Sequence, residues 1–422
     1  MIKRFASFSF GCRVNMAEKI ELDQALIGLG FRYDPDRPEL FIINTCAVTG
    51  KAERETRQLV YQLRRRFPGL KIVLTGCSAT YWKKHRLFAD LPVDLVVTNR
   101  DKARLPVMIQ TRFSSPSGNY KIDKNQGNKY LESGRYLIKI QDGCRRFCSY
   151  CIVPYLRTEP ATRPIAQIVG TIDRLDKNIK EVILTAINTE VYGDVNLVRL
   201  IKAVHSTKIA RLSFGSIHPW SLSETFLRYY RTIADSSRFV DFFHVPLQSG
   251  ANRILRLMRR DYNREEIEEK LIQIRRANPR ALIATDIITG FLDETERDFK
   301  ETCAFLQRAP IYKLHVFRFS RRRHTAADFM AKRLPELSSA TKLKRSRALI
   351  KLGEEKYARF IGGLRGWRST ALFINHPRQG GQPALLENQV PVWIPTTKDY
   401  AGEIKHVIVT EIRHGQLTGK LV

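Results

Sequence analysis

Asp142-Gly143-Cys144-Arg145-Arg146-Phe147-Cys148-Ser149-Tyr150-Cys151 sets three thiols at C-x3-C-x2-C spacing within ten residues. The whole 422-residue chain has only seven cysteines, so the cluster calls for a mechanism. A four-ligand zinc site usually draws its thiols from two separated knuckles. No C-x2-C or H-x3-H partner lies nearby, which disfavours zinc. Three thiolates on a tight loop suit a [4Fe-4S] cube, which takes four ligands, and one iron is left for a ligand from outside the protein.

Outward from this loop, six strand-like runs alternate with helical segments: Tyr136 to Ile140, Glu181 to Thr185, Arg211 to Ile217, Phe242 to Leu247, Leu282 to Ile288 and Leu314 to Phe319. Six βα units predict a partial barrel whose site lies at the C-terminal ends of the strands. The Cys144 loop leaves the first strand on that face. Polar residues close several others, in Thr185-Ala186-Ile187-Asn188, Ser216-Ile217-His218, His244-Val245-Pro246-Leu247-Gln248-Ser249 and Thr285-Asp286.

Residues 1 to about 112 also alternate. Phe5 to Phe8, Leu40 to Ile43, Ile72 to Leu74 and Leu95 to Val97 read as strands, and Ala17 to Leu29, Ala52 to Arg66 and Asp101 to Ile109 as helices, giving a parallel α/β sheet. Cys12, Cys46 and Cys77 follow the first three strands, at the carboxyl edge where open α/β sheets bind ligands. Taken singly, each is more often a small buried hydrophobe. Three at equivalent positions, each near Gly or Asn, point instead to a second cluster. Cys303, four residues after Phe299, is expected in a helix core.

The polar stretch 113–133 reads as a linker, 134–364 as the barrel core, and 365–422 as a small β-barrel of the size of oligonucleotide-binding modules. Seventy-two Lys and Arg against 42 Asp and Glu give a net charge of +30, which points to nucleic acid as partner. Thirteen cations fall between residues 318 and 359, a run that reads as a phosphate-contacting surface. No apolar run approaches the roughly 18 residues of a membrane-spanning helix. The start of the chain leads into a strand rather than a signal peptide, so a cytoplasmic protein with reduced thiols and no membrane contact is expected.

The Cys144 loop, with Tyr150 in its aromatic slot, resembles the C-x3-C-x-aromatic-C signature of radical S-adenosylmethionine (SAM) enzymes. With Gly11-Cys12-Arg13-Val14-Asn15, Asn44-Thr45-Cys46 and Gly76-Cys77-Ser78-Ala79-Thr80 beside it, the chain resembles the methylthiotransferases of that superfamily along its whole length. The resemblance implies an N-terminal domain with an auxiliary [4Fe-4S] cluster on Cys12, Cys46 and Cys77. It also implies a radical SAM barrel with a SAM-binding [4Fe-4S] cluster on Cys144, Cys148 and Cys151, and a C-terminal TRAM domain. Tyr150, Asn188, Gln248 and Ser249 are the expected SAM contacts, although turn-capping is the plainer role of the last three. The wording of the Cys12 and Cys144 motifs is similar to the branch that modifies threonylcarbamoyladenosine at tRNA position 37. Alternatives are the same chemistry on isopentenyladenosine or on a ribosomal protein, and a non-catalytic iron-sulfur RNA-binding or redox-sensing protein. The implied partners are a tRNA anticodon loop, an electron donor of flavodoxin or ferredoxin type, and a sulfur donor that the sequence leaves open.

Some positions depart from the family pattern. Gly290-Phe291-Leu292-Asp293-Glu294-Thr295 lacks the usual Pro and Gly of its turn, His218 stands where Glu is common, and Ala186 where Gly is usual. Arg318 and His324 replace an expected Pro and Gly. These bear on the SAM pocket rather than on the cluster cysteines.

Overall fold

Three apolar runs, Arg4–Ser9, Leu40–Thr45 and Lys71–Gly76, pair in parallel at the centre of a five-stranded sheet. Short strands Arg32–Tyr33 and Leu95–Val96 close its two edges. The structure, a computed structural model, describes residues 2–113, 133–234, 236–413 and 415–422; most of the expected linker lies outside them. The chain divides into two units. One holds the described residues of Met1–Lys129 with Asp142–Phe147 and Cys151–Ala161, the other those of Tyr130–Gln141, Cys148–Tyr150 and Thr162–Val422.

In the first unit, successive strand residues face opposite sides of the sheet. Ile42 and Val73 join Phe5 and Leu26 in one core, while Ile43 and Leu74 join Val60 and Trp82 in the other. Burial on both faces is why these strands read as unbroken apolar runs. The register sets Ser9 beside Asn44, Asn44 beside Thr75, and Thr45 beside Gly76, so three strand ends lie in a row. Helices Arg13–Gly28, Gly50–Arg66 and Cys77–Lys84 leave those ends. The first begins four residues ahead of the expected Ala17. Cys77, expected at a strand end, is the first residue of a helix that periodicity did not reveal. Gly76 makes this junction at φ +95°, where any Cβ would strike the Thr45 carbonyl oxygen, so only glycine fits.

The six expected barrel strands are Arg135–Asp142, Glu181–Ala186, Arg211–Phe214, Phe242–His244, Leu282–Thr289 and Lys313–Arg318, all in the second unit except Asp142, the last residue of the first strand. The first three pair in parallel, as do the last three. A parallel bridge between Leu212 and Phe239 connects the third strand to the segment entering the fourth. Helix Ser339–Gly362 then leads to a closed barrel of Arg368–Phe373, Gly381–Leu386, Pro391–Pro395, Ile404–Arg413 and Gln416–Leu421. Gly381 opens a strand at a point where a Cβ would strike the Trp393 indole. The interior of the small barrel (Phe373, Leu386, Ile394, Val409) shares one apolar cluster with Phe242, Leu282, Phe360 and Leu364. At about 1.5–3 kcal/mol per buried large side chain, this common core fastens the barrel to the strands it packs on.

Two expectations are corrected. Four cations of the basic run, Arg322, Lys342, Arg345 and Lys356, are buried and serve the fold. Lys342 pairs with Glu336, Arg345 with Glu294, and Lys356 donates to the carbonyls of Leu306, Gln307 and Ala309 at the end of helix Glu296–Arg308. Charge counting cannot separate such cations from surface ones. Cys303 lies on that helix as expected but is half-buried rather than in its core, because it flanks the apolar stripe of Thr302, Phe305 and Leu306. Among the described residues, no helix is long and apolar enough to cross a membrane.

Candidate iron-sulfur and SAM site

Polar residues of the three N-terminal motifs tie their loops together. Asn15 Nδ2 donates to the carbonyls of Phe10 and Thr45 at 2.9 and 3.0 Å, and Asn44 Nδ2 to the Asn15 carbonyl at 2.7 Å. Thr45 Oγ1 donates to Thr75 O and accepts from Ala79 N, while Ser78 Oγ donates to Cys46 O at 2.6 Å. The motif wording is therefore the scaffold that holds Cys12, Cys46 and Cys77 together. A Cβ at Gly11, which has φ +86°, would collide with Cys46 Sγ, so glycine lets the first loop pass over the second thiol.

Cys46 and Cys77 are buried, whereas Cys12 is open to solvent yet crowded by protein. Burial, and then the neighbouring Cys77 and Cys12, push the Cys46 thiol up to about 12; burial also raises Cys12. Such thiols bind a metal as thiolates, releasing their protons to solvent as the metal takes their place. Beside them a charge network, absent from the sequence reading, lies below the surface. Arg157 Nε donates to Cys77 Sγ at 3.4 Å, and its Nη atoms grip Glu18, Asp142 and Asn15. Lys102 Nζ donates to Glu18 at 2.6 Å. Helix Arg13–Gly28 carried the signal, since it buries Asn15, Glu18, Lys19 and Asp23 where a structural helix would present apolar residues. Three unbridged thiols, a nearby glycine cradle and fixed cationic donors fit the ligand set of an iron-sulfur cube.

On the Cys144 loop, Gly143 has φ +77°, and the Cys144 amide donates to the Arg157 carbonyl at 3.2 Å. Arg146 N donates to Cys144 Sγ at 3.4 Å. Cys148, in the second unit, is buried and accepts from Arg260 Nη1 at 3.5 Å, and Cys151 is half-buried. Tyr150 packs against the cluster of Ile254, Met258 and Phe291.

The expected SAM contacts have structural duties at the barrel strand ends. Asn188 is 2% exposed, caps the turn Thr189–Tyr192, and donates its backbone N–H to Gln141 Oε1 at 2.8 Å. Ser249 Oγ accepts from Ala251 N at 3.2 Å at the start of helix Asn252–Leu257. Gln248 is partly buried at φ +79° and bonds through its backbone to Asp286 and Ile288.

A trio missed as a unit lies on adjacent strands. His244 Nε2 and His315 Nδ1 approach Asp286 Oδ1 at 2.9 and 3.3 Å, and Ser216 Oγ meets His244 Nδ1 at 2.7 Å. Although burial opposes it, the two imidazoles hold the Asp286 carboxyl well below the usual carboxylate range. This trio can share protons or hold a divalent ion. His315 gave no sequence signal of its own; its register opposite Asp286 brings it in.

His218 faces Thr189, whose amide and hydroxyl lie 3.2 Å from its Nδ1, and stacks on Trp220. Burial, then Arg260 and His244, push its pKa down to about 3. The unfolded chain would protonate it near pH 6.5, so stability falls as pH drops below that value, by at most about 1.4 kcal/mol per unit. His218→Asn, whose amide oxygen can replace Nδ1 as acceptor, is expected to lose that share of the acid sensitivity. Urea midpoints at pH 7 and pH 5 measure it, and an equal pH response in both proteins contradicts the assignment.

Residues 138–306 match the Radical SAM superfamily, and residues 4–98 match the family described as Uncharacterized protein family UPF0004. Over 402 residues the chain is 33% identical to the Aquifex aeolicus (strain VF5) threonylcarbamoyladenosine tRNA methylthiotransferase MtaB, covering 91% of this chain and 95% of that protein. The chain belongs to the radical SAM methylthiotransferase family. The Chlamydia pneumoniae MtaB is 36% identical over 78% of each chain. A tRNA-2-methylthio-N(6)-dimethylallyladenosine synthase of Bordetella petrii is 27% identical over 98% of this chain and 90% of that one. A solved radical SAM methyltransferase, TsrM from Kitasatospora setae, shares the fold at TM-score 0.57 and 14% identity, covering 79% of this chain and 78% of that one. As a radical SAM methylthiotransferase the protein is an enzyme, and membership implies SAM and a [4Fe-4S] cluster as its cofactors.

Proposed function

We propose that this enzyme places a methylthio group on carbon 2 of threonylcarbamoyladenosine 37 in tRNA, using SAM and two [4Fe-4S] clusters. One cluster is assigned to Cys144, Cys148 and Cys151, the other to Cys12, Cys46 and Cys77. The observation that carries this reading is the gathering of three further thiols at the ends of three parallel strands, a ligand set beyond the one that SAM cleavage requires. The choice of threonylcarbamoyladenosine rests on the names of the relatives at 33 and 36% identity. When bound, the clusters supply the electron that cleaves SAM and a site for the transferred sulfur. The chain's own share is to hold the thiolates with Asn15, Asn44, Thr45 and Arg157, and to offer Tyr150, Asn188, Gln248 and Ser249 at the barrel strand ends for SAM.

The RNA side is assigned to the C-terminal barrel of 365–422 and the exposed cations of the basic run, among them Arg318, Arg323, Arg333, Lys344 and Arg347. With about six phosphates contacted, tRNA affinity should fall with salt at a log–log slope of about −4. A flat response in filter binding at several salt concentrations would remove this assignment. A reductant of flavodoxin or ferredoxin type supplies the electrons. The test of the reaction is mass spectrometry of tRNA nucleosides from a deletion strain. Loss of the methylthio mark on threonylcarbamoyladenosine alone is expected, and loss on isopentenyladenosine instead overturns the substrate choice.

A further inference from the structure

We propose that each cysteine group is poised for electron uptake by one buried arginine, Arg157 for the Cys77 group and Arg260 for the Cys148 group. This rests on the two-cluster reading above and goes beyond it, since it assigns control of the reduction potentials to two residues that are not ligands.

The two arginines share a construction. Arg157 is almost wholly buried; its Nη1 donates to Glu18 Oε1 at 2.7 Å and to Asp142 Oδ1 at 2.6 Å, and its Nη2 to Glu18 Oε2 at 2.9 Å and Asn15 Oδ1 at 3.0 Å. With both Nη atoms anchored, Nε points at Cys77 Sγ. A planar guanidinium fixed at one edge presents the remaining N–H in a set direction, which a lysine ammonium does not. The Arg157 carbonyl also accepts from the Cys144 amide, so the same residue steadies the loop of the other group.

Arg260 is 6% exposed and is held in the same way by different partners. Nη2 donates to Pro246 O at 2.7 Å, Nε to Tyr262 Oη at 2.8 Å, and Nη1 to Cys148 Sγ. Its guanidinium lies over the Trp220 ring at 4.3 Å and the Tyr262 ring at 5.1 Å. These anchors are neutral, whereas those of Arg157 include two carboxylates. The Arg260 charge therefore acts on its sulfur with less local compensation.

Reduction adds one electron to a cluster, taken from the external flavodoxin- or ferredoxin-type donor, and no bond forms or breaks. The added negative charge spreads onto the sulfurs. An N–H···S bond and a buried cation favour the reduced form and raise the potential, more strongly in a low-dielectric interior than in water. The effect of Arg260 should exceed that of Arg157.

The test is a redox titration of anaerobically reconstituted full-length enzyme, followed by electron paramagnetic resonance with and without SAM, which marks the cluster that binds it. Arg260→Gln is expected to lower the midpoint of the SAM-responsive signal alone, and Arg260→Lys to restore part of the shift. Arg157→Lys is expected to lower the midpoint of the other signal by a smaller amount, with iron and sulfide contents unchanged. Wild-type midpoints in variants of full iron content would overturn the proposal. Equal displacement of both signals by either variant would also overturn it, as a general structural effect. Wild-type iron sufficient for only one cluster would sink the two-cluster reading instead, and Arg260→Gln would still decide the role of its arginine. The Arg260 pair serves equally should Arg157→Lys fail to fold.

Discussion

Cys46→Ala is expected to abolish methylthiolation of tRNA, by at least about a thousandfold or 4 kcal/mol in barrier, while 5′-deoxyadenosine formation from SAM stays measurable. Cys46 is 4% exposed and lies under Gly11. The bond that ties its segment to Ser78 runs through its backbone carbonyl, so removing the thiol leaves that tie intact. The fold should therefore lose only about 1 kcal/mol, within the usual range for a point substitution. What the variant lacks is one of three ligands to the auxiliary group, whereas Cys144, Cys148 and Cys151 are untouched. An anaerobic reaction with SAM and dithionite, with both products quantified by mass spectrometry, separates the two activities. Full methylthiolation by the variant would remove Cys12, Cys46 and Cys77 from the mechanism. Parallel loss of both products would show that the thiols support the fold rather than sulfur transfer.

The six thiols and the six barrel strands were legible because their signals are local: a spacing, an apolar run, a glycine before a cysteine. Even Cys77, whose helix went unseen, was placed at the right edge of the sheet by the strand before it. What escaped the sequence depends on partners distant in the chain. Arg157 meets Glu18 across 139 positions and Arg260 meets Cys148 across 112, and nothing in the wording around either arginine separates it from a solvated cation. The basic run shows the same limit from the other side. Lys342, Arg345 and Lys356 count toward the charge excess, yet each is consumed by a carboxylate or by carbonyls at a helix end. The His244–Asp286–His315 trio needed the strand register, since only pairing opposite Asp286 gives His315 a role. Asn188 and Ser249 illustrate the converse: their polarity was visible, but the same groups cap turns, and sequence cannot tell which duty dominates.

Glu294→Ala should cost about 3–5 kcal/mol of stability, the usual penalty for leaving one charge of a buried pair without its partner. The segment Gly290–Thr295 lacks the proline and second glycine that would set its turn, and the structure shows what replaces them. Asp293 takes the left-handed conformation at φ +56°, held by Arg253, whose Nη1 reaches Asp293 Oδ2 at 2.7 Å. Glu294, 4% exposed, accepts from the Gly290 amide at 2.8 Å and from Arg345 Nη1 at 2.6 Å. Two acidic side chains thus do what backbone preference does in the usual turn, and the second binds it to helix Ser339–Gly362. Burial outweighs these bonds and raises the Glu294 pKa. The folded state therefore holds the Glu294 proton more readily than the unfolded chain, so the stability linked to this titration is fully present below the unfolded pKa and is lost as pH rises through the folded value. A neutral acceptor should then be tolerated better than none: Glu294→Gln keeps a carbonyl oxygen for Gly290 and Arg345 and should cost only about 1–2 kcal/mol. Urea denaturation of the two variants beside the wild type measures the difference. If Glu294→Ala falls within about 1 kcal/mol of wild type, Arg345 must find water or another acceptor, and the turn is held by Arg253 and Asp293 alone.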